Sequence, residues 1–209
     1  QAIEIFKKAC ENGSSSGCYN LGLMYYNGTQ VEQEYFKAAE AFAKACDDGH
    51  DKACYNLAYM YQNGYGVRLD PVKAITLYEK TCASGVGGSC YNLSNIYETG
   101  EVVEKDSFKA VDYLVKACNL DHAKACFNLA LRYQNEDGVE KNPLRAAQLY
   151  EKSCNLGNSK ACYNLGIMYT TNDYFKKDNI KALELFTKAC GMNLKEACKA
   201  YDNLRGLVY

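Results

Sequence analysis

Twelve cysteines carry most of the chemistry that this 209-residue sequence could perform. They form two series that each repeat every 36 residues, and each member of the first series precedes a member of the second by eight residues. This cysteine density and the even count favour disulfides formed in an oxidising compartment. Because a short turn between two helices brings neighbouring cysteines within bonding distance, local pairing is expected: Cys10 with Cys18, Cys46 with Cys54, Cys82 with Cys90, Cys118 with Cys126, Cys154 with Cys162, and Cys190 with Cys198.

Zinc binding is the alternative use of so many thiols. Zinc sites favour cysteines roughly two to four residues apart and often include histidine, whereas the only histidines of this chain are His50 and His122. We therefore expect no metal and no cofactor, with every cysteine in a disulfide.

Serine chemistry finds little support in the sequence. Residues 13–17 (GSSSG) fit the Gly-x-Ser-x-Gly pattern, but that pattern functions on a strand-to-helix turn, and here it lies between predicted helices. The Ser-x-x-Lys, Ser-Asp-Asn and Lys-Thr-Gly elements of serine β-lactamases do not occur in the chain. The residues themselves therefore predict no catalytic group.

The elements that must position the cysteines follow from the 36-residue period, which is typical of stacked helical repeats. Residues 53–64 have the apolar spacing of a first helix, and Asp70 followed by Pro71 has the capping and first-turn residues that begin a second helix. The second helix ends near Gly85, a residue suited to the left-handed C′ position. The predicted fold is all-α: a right-handed superhelical solenoid of helix-turn-helix repeats, similar to tetratricopeptide repeats and pinned by disulfides.

One repeat domain is expected over residues 1–209. Residues 1–17 supply only a second helix, so an upstream part of the protein is expected to precede them. Full repeats then cover residues 18–53, 54–89, 90–125, 126–161 and 162–197, and residues 198–209 form a C-terminal capping helix. The loop at 172–177 departs from the pattern, with Phe175 where other loops carry valine.

The overall composition restricts the partners. The formal charge is −1, whereas a nucleic acid or an anionic membrane as main partner would require a basic excess. No apolar run is long enough to span a bilayer. We expect a monomer with no nucleic-acid partner and no membrane span.

The recurring string YNLGxMYxxGxGVxxDxxKAxxLYEKACxxGxxxAC resembles the Sel1-like repeat family, a relative of the tetratricopeptide repeats with a longer loop. In one repeat it is carried by Tyr55-Asn56-Leu57, Met60-Tyr61, Gly64, Gly66-Val67, Asp70, Lys73-Ala74 and Leu77-Tyr78-Glu79-Lys80. The eight-residue cysteine spacing is similar to the cysteine-rich branch typified by the Helicobacter cysteine-rich proteins. The resemblance covers essentially the whole chain.

The resemblance implies a binding groove lined by first helices. In the related tetratricopeptide repeats, the residue equivalent to Asn56 faces the groove and binds a peptide's backbone or terminal carboxylate. The residues at this position are Asn20, Asn56, Asn92, Asn128 and Asn164. On the same helical face lie Lys52, Lys124 and Lys160, four residues earlier, and Tyr59 and Asn95, three residues later. The alternative is that each asparagine bonds the backbone of a neighbouring repeat and holds the register.

The expected function is a secreted or periplasmic scaffold that binds a protein or an extended peptide. The alternative that the resemblance implies is a penicillin-binding protein with weak β-lactamase activity, which would bind β-lactams or cell-wall fragments. A purely structural envelope component is a third interpretation. Export is inferred from the cysteines alone, because the sequence from Gln1 shows no basic-then-apolar leader, and a signal peptide, if there is one, lies upstream.

Overall fold

The computed structural model describes residues 2–171 and 176–208, and these residues form twelve α-helices and no strand. The helices are α1 (Ala2–Glu11), α2 (Ser15–Asn27), α3 (Tyr35–Asp47), α4 (Asp51–Asn63), α5 (Pro71–Ala83), α6 (Gly87–Thr99), α7 (Ser107–Asn119), α8 (Ala123–Asn135), α9 (Pro143–Asn155), α10 (Ser159–Thr170), α11 (Asn179–Gly191) and α12 (Lys195–Val208). The predicted all-α class is confirmed. None of these helices is both long enough and apolar enough for a bilayer crossing. The expected departure at Phe175 lies outside the described residues.

The chain divides into two compact units. Gln1–Lys105 contains α1 to α6, and Asp106–Tyr209 contains α7 to α12. Within each unit, odd-numbered second helices alternate with even-numbered first helices, and each helix packs against the next along the chain. The single repeat domain expected over residues 1–209 stays a prediction.

Polar side chains begin the second helices, as the sequence predicts. The Asp70 carboxylate accepts a hydrogen bond from the backbone N–H of Lys73 at 2.9 Å, and Pro71 lies in the first turn. Such a cap satisfies an amide that has no partner within the helix and contributes about 1 kcal/mol. Equivalent caps begin three other second helices, at Asp106, Asn142 and Asp178.

The crossing between a first and a second helix pairs a small residue with a large one. Gly22 lies against Phe42 so closely that an added Cβ would be 2.6 Å from the phenyl ring, and Gly166 meets Phe186 in the same way at 2.5 Å. Both phenylalanines are almost fully buried. At these two crossings a glycine therefore permits close approach of the helices, and an aromatic ring fills the space that a side chain would occupy.

Six disulfides join each second helix to the first helix that follows it. The pairs are Cys10–Cys18, Cys46–Cys54, Cys82–Cys90, Cys118–Cys126, Cys154–Cys162 and Cys190–Cys198. The Cα atoms of a pair are 4.4 to 4.9 Å apart, and all twelve cysteines, which lie within the described residues, are bonded. These are the pairs that the eight-residue spacing predicts. Each bond closes the short turn between successive helical hairpins.

Candidate binding face of the first helices

The predicted site residues lie on the first helices. On α4, Lys52, Asn56 and Tyr59 lie at positions i, i+4 and i+7 and so share one side of the helix. We call the corresponding side of the first helices, taken within each unit, the first-helix face. It carries Asn20, Asn56, Asn92 and Asn95 with Lys52 and Tyr59 in the N-terminal unit, and Asn128, Asn164, Lys124 and Lys160 in the C-terminal unit. The asparagines at the recurring position are half-buried, and the lysines are exposed.

Asn92 is hydrogen-bonded inside the protein. Its side chain bonds the hydroxyl of Tyr78, a fully buried residue of the preceding second helix. The Tyr78 hydroxyl in turn donates to Oε1 of Gln62 at 2.9 Å. Burial raises the pKa of Tyr78 well above its ordinary value, and the hydrogen bond from Asn92 opposes part of that rise. Asn92 therefore helps to join one hairpin to the next.

The same arrangement of three residues recurs in the C-terminal unit. The Tyr150 hydroxyl donates to Oε1 of Gln134 at 2.6 Å, and the Asn164 side chain bonds the same hydroxyl. Burial raises the pKa of Tyr150, again in part opposed by the asparagine. At Asn92 and Asn164, then, the side chain bonds a tyrosine hydroxyl of the preceding hairpin, and not its backbone, and ligand binding at these two residues stays a prediction.

Asn56 has different surroundings because the preceding second helix presents Phe42, which has no hydroxyl. Within the described part of the chain, no side-chain hydrogen bond engages Asn56. Its amide instead lines a pocket of about 250 Å³ between α2 and α4. The other residues of this α2–α4 pocket are Leu23, Tyr26, Asn27, Tyr55 and Tyr59. Asn56 and Tyr59 are thus the two predicted site residues that the structure brings to one pocket.

Tyrosine rings hold the pocket residues Tyr26 and Tyr59 in place. The ring of Tyr26 lies edge-on to Tyr35 at 5.4 Å, Tyr35 stacks on Tyr65 at 5.2 Å, and Tyr65 lies 6.1 Å from Tyr59. Burial raises the pKa of Tyr26, with further contributions from neighbouring tyrosines, Tyr59 first among them. The Tyr26 phenol therefore stays protonated, and able to donate a hydrogen bond, at neutral pH.

Gly66 brings the loop after α4 against this tyrosine cluster. Its φ is +65°, in the left-handed region, and an added Cβ would collide with the backbone of Tyr35 and Phe36. A glycine here lets the neighbouring Tyr65 stack on Tyr35. At this position, the loop glycine of the repeat motif allows the loop to pack closely against α3.

Sequence reasoning does not single out four of the pocket residues: Leu23, Tyr26, Asn27 and Tyr55. For Tyr26 a signal was present in the sequence. It occupies the repeat position of Gln62 and Gln134, and both glutamines precede a buried tyrosine by 16 residues, whereas the residue 16 positions after Tyr26 is Phe42. At these three steps, comparing the two positions separates the pairs joined by a hydroxyl bridge from the pair that lies beside the pocket.

Some lysines near the ends of the second helices contact the preceding repeat. Lys44 donates to the backbone carbonyl of Cys10 at 2.9 Å, and the ammonium of Lys152 lies 2.9 Å from the Asp121 carboxylate. These two lysines therefore join one second helix to the repeat before it. By contrast, no salt bridge to any described residue engages the lysines of the first-helix face, Lys52, Lys124 and Lys160.

Both histidines cap first helices. Nδ1 of His50 accepts a hydrogen bond from the N–H of Ala53 at 3.2 Å, and Nδ1 of His122 accepts one from Ala125 at 3.3 Å. Burial, with a smaller contribution from Lys124, lowers the pKa of His122. Among the described residues, no group of three or more His, Cys, Asp or Glu side chains is arranged to hold a metal.

The serine-rich segment 13–17 covers the end of the turn before α2 and the first residues of that helix. The Ser14 hydroxyl accepts a hydrogen bond from the N–H of Gly17 at 3.1 Å and so caps the helix. A capping bond accounts for this serine, and the turn joins two helices, not a strand and a helix.

Comparison with known proteins agrees with this architecture. The family model described as "Sel1 repeat" matches residues 1–14, 15–50, 51–86, 88–122, 123–158 and 159–194. The structure of c5321, a protective antigen of uropathogenic Escherichia coli strains displaying an SLR fold, superimposes with a TM-score of 0.84 at 26% identity. That match covers 97% of this chain and 43% of the antigen.

Two Helicobacter pylori proteins are also similar. Cysteine rich protein B is 32% identical, with a TM-score of 0.51 over 65% of this chain and 97% of its own. The protein named "Putative beta-lactamase HcpC" is 52% identical over 33 residues, which are 16% of this chain and 11% of that relative. With matched repeats over nearly its whole length and six disulfides at the repeat positions, the chain belongs to the cysteine-rich Sel1-like repeat family.

Proposed function

We propose that this protein is an extracytoplasmic scaffold that binds a protein or an extended peptide through its first-helix face. The observation that carries the proposal is the α2–α4 pocket, where the amide of Asn56 and the ring of Tyr59 are presented together. Amides offer both donors and acceptors to a main chain, and tyrosines contribute contact area at a low entropic cost.

The scaffold is suited to binding because its hairpins are held firmly. Each turn between hairpins is closed by a disulfide, and Lys44 bridges one second helix to the end of another. A surface that is ordered before binding loses less conformational entropy when a ligand binds. Nearby, the exposed Lys52 ammonium is available to a ligand carboxylate.

An oxidising compartment, secreted or periplasmic, is proposed from the six disulfides, since structural disulfides persist mainly outside the cytosol. A monomer is proposed as the working state. Both proposals are independent of the identity of the ligand.

The binding proposal is tested by capture from periplasmic and host-cell extracts on immobilised protein, followed by mass spectrometry. We expect a partner that wild type retains and that Asn56→Ala together with Tyr59→Ala releases. The matched control is Glu79→Ala, which removes an exposed side chain from the second helix α5 and should retain the partner. Capture that is equal for all three proteins would contradict binding through the first-helix face.

A second candidate is β-lactam binding with slow hydrolysis, and the short similarity to the protein named "Putative beta-lactamase HcpC" favours it. The test is nitrocefin turnover. A rate that is proportional to protein concentration and survives further purification would establish this activity. A rate equal to that of a heat-denatured sample would remove this candidate.

A further inference from the structure

The α2–α4 pocket differs from the corresponding steps between first helices elsewhere in the chain. At the α4–α6 step, the amides of Gln62 and Asn92 are both bonded to the buried Tyr78 hydroxyl. At the α8–α10 step, Gln134 and Asn164 are bonded to Tyr150 in the same way. Only the α2–α4 step, of these three, leaves its polar groups open to a ligand.

The lining of this pocket is neutral. Its residues are one leucine, three tyrosines and two asparagines, with no charged side chain among them. Within the described residues, no side-chain hydrogen bond engages Asn27, Asn56 or the hydroxyl of Tyr59. A ligand is therefore recognised here by ring contact and by hydrogen bonds to uncharged groups, and not by ion pairing.

The hydrogen-bonding groups and the rings of the pocket indicate the class of ligand. Asparagine NH₂ groups and phenol hydroxyls donate hydrogen bonds, and their oxygens also accept them. Three tyrosine rings supply flat apolar surface beside these donors. A prolyl peptide fits well, because its carbonyls accept hydrogen bonds and proline has no N–H that would need an acceptor.

We infer that the α2–α4 pocket binds a proline-containing segment in the polyproline II conformation. Aromatic-lined grooves recognise such segments because the conformation is already formed before binding and leaves the backbone carbonyls unbonded. The pyrrolidine rings pack on Tyr26 and Tyr59, and Asn27 and Asn56 donate to the carbonyls. The pocket volume of about 250 Å³ is smaller than the roughly 300–1,000 Å³ typical of drug-sized ligands, so a short stretch of chain fills it.

This inference rests on the proposed function, since it names the ligand chemistry of one part of the first-helix face. The probe is capped decaproline, titrated into ¹⁵N-labelled protein and followed by amide chemical shifts. A capped Gly-Ser decapeptide and an N-acetylglucosamine tetrasaccharide are the comparison ligands. We expect saturable shifts on α2 and α4 with decaproline alone.

Substitutions test whether the pocket itself is responsible. Tyr59→Ala should raise the dissociation constant by about tenfold, as expected for an interfacial tyrosine. Asn56→Asp keeps the side-chain size but replaces the amide donor by an acceptor, and should weaken binding as well. The matched control is Ile167→Ala, which alters the exposed residue at the equivalent repeat position of α10 and should change affinity less than about twofold. Melting temperatures establish that each variant is folded.

Several outcomes would overturn the inference. In the titrations, these outcomes are amide shifts that do not saturate with decaproline, equal binding of the Gly-Ser peptide, or shifts at the pocket with the saccharide and none with decaproline. In the variants, the contradicting outcome is a decaproline affinity that is unchanged in both Tyr59→Ala and Asn56→Asp. If extracts yield a partner held by the first-helix face while decaproline does not bind, only the ligand class is wrong. If neither binds, the proposed function fails as well.

Discussion

At the scale of single residues, three asparagines of the repeat motif, Asn56, Asn92 and Asn164, differ with the residue 14 positions before them. After a tyrosine, as at Asn92 and Asn164, the amide bonds a buried hydroxyl. After Phe42 no hydroxyl is present, and Asn56 lines a pocket. For Asn56, Asn92 and Asn164, the aromatic residue on the preceding second helix thus decides whether the amide is bonded internally or lines a pocket.

Replacing Tyr78 by phenylalanine should lower the free energy of unfolding by about 1 kcal/mol, because Gln62 and Asn92 lose their shared hydroxyl. Urea unfolding followed by circular dichroism measures the change. Tyr59→Phe removes a hydroxyl that is not bonded to any described residue and should change stability by less than about 0.5 kcal/mol. Equal effects of the two substitutions would contradict the bridging role of Tyr78.

Stability should depend on the protonation of His122. Its neutral Nδ1 accepts the capping bond from Ala125, and burial lowers its pKa in the folded state. As the pH falls, the unfolded chain therefore binds the proton before the folded protein does. The stability that neutral His122 contributes is fully present above the unfolded pKa of about 6.5 and is lost as the pH falls through the lower folded pKa.

The variant His122→Asn isolates this effect, since Asn158 caps α10 at the same repeat position with a bond to Ala161 at 3.2 Å. Melting temperatures of wild type and variant should converge towards neutral pH. Below about pH 6 the wild type should lose more stability than the variant. Parallel pH profiles would show that His122 titrates equally in the folded and unfolded states.

At the scale of elements, helical hairpins depend on the crossing where a small residue meets an aromatic ring. Gly22→Ala should destabilise the protein by roughly 1 to 3 kcal/mol, because the new methyl group would lie 2.6 Å from the Phe42 ring. Denaturant unfolding measures the loss.

The matched control, a glycine with open space around it, should change the stability in the opposite direction. Gly206 lies within α12, and a Cβ added there would meet nothing within 4 Å. Gly206→Ala should therefore be neutral or stabilise by up to about 1 kcal/mol through helix propensity. A loss at both glycines would show that flexibility, and not close packing, explains them.

Most elements were predictable because their signals are local. The 36-residue period, the Asp70 cap and the glycines after the second helices specify where helices begin and end, and Gly49 and Gly85 do adopt positive φ. The contacts between repeats were not predictable in the same way. The bond from Lys44 to the Cys10 carbonyl joins residues 34 positions apart, and no periodic pattern states which atoms will meet.

At the scale of the whole molecule, the disulfides are the common feature of both units. Each closes a loop of about eight residues and contributes on the order of 2 to 3 kcal/mol in the chain-entropy account, an upper value that does not add fully over six bonds. The cores of both units contain small alanines at many buried positions. The disulfides therefore add to the stability of these cores by constraining the unfolded chain.

Full reduction should add 12 hydrogens to the intact mass, one for each cysteine, and lower the melting temperature. Mass spectrometry and thermal denaturation with and without dithiothreitol measure both quantities. A smaller gain in mass would mean that some thiols were free at the start. An unchanged melting temperature would mean that packing alone holds the hairpins.

The repeat, the helical class and the local cysteine pairs could be predicted from the residues alone, because each depends on spacing along a chain whose period never changes. Which of Asn56, Asn92 and Asn164 is bonded internally and which lines a pocket became clear only from the packing of the helices. It depends on whether a buried ring on a neighbouring helix carries a hydroxyl, as Tyr78 does and Phe42 does not. Recurrence along a sequence identifies equivalent positions, whereas the partner of each side chain is set by packing between elements.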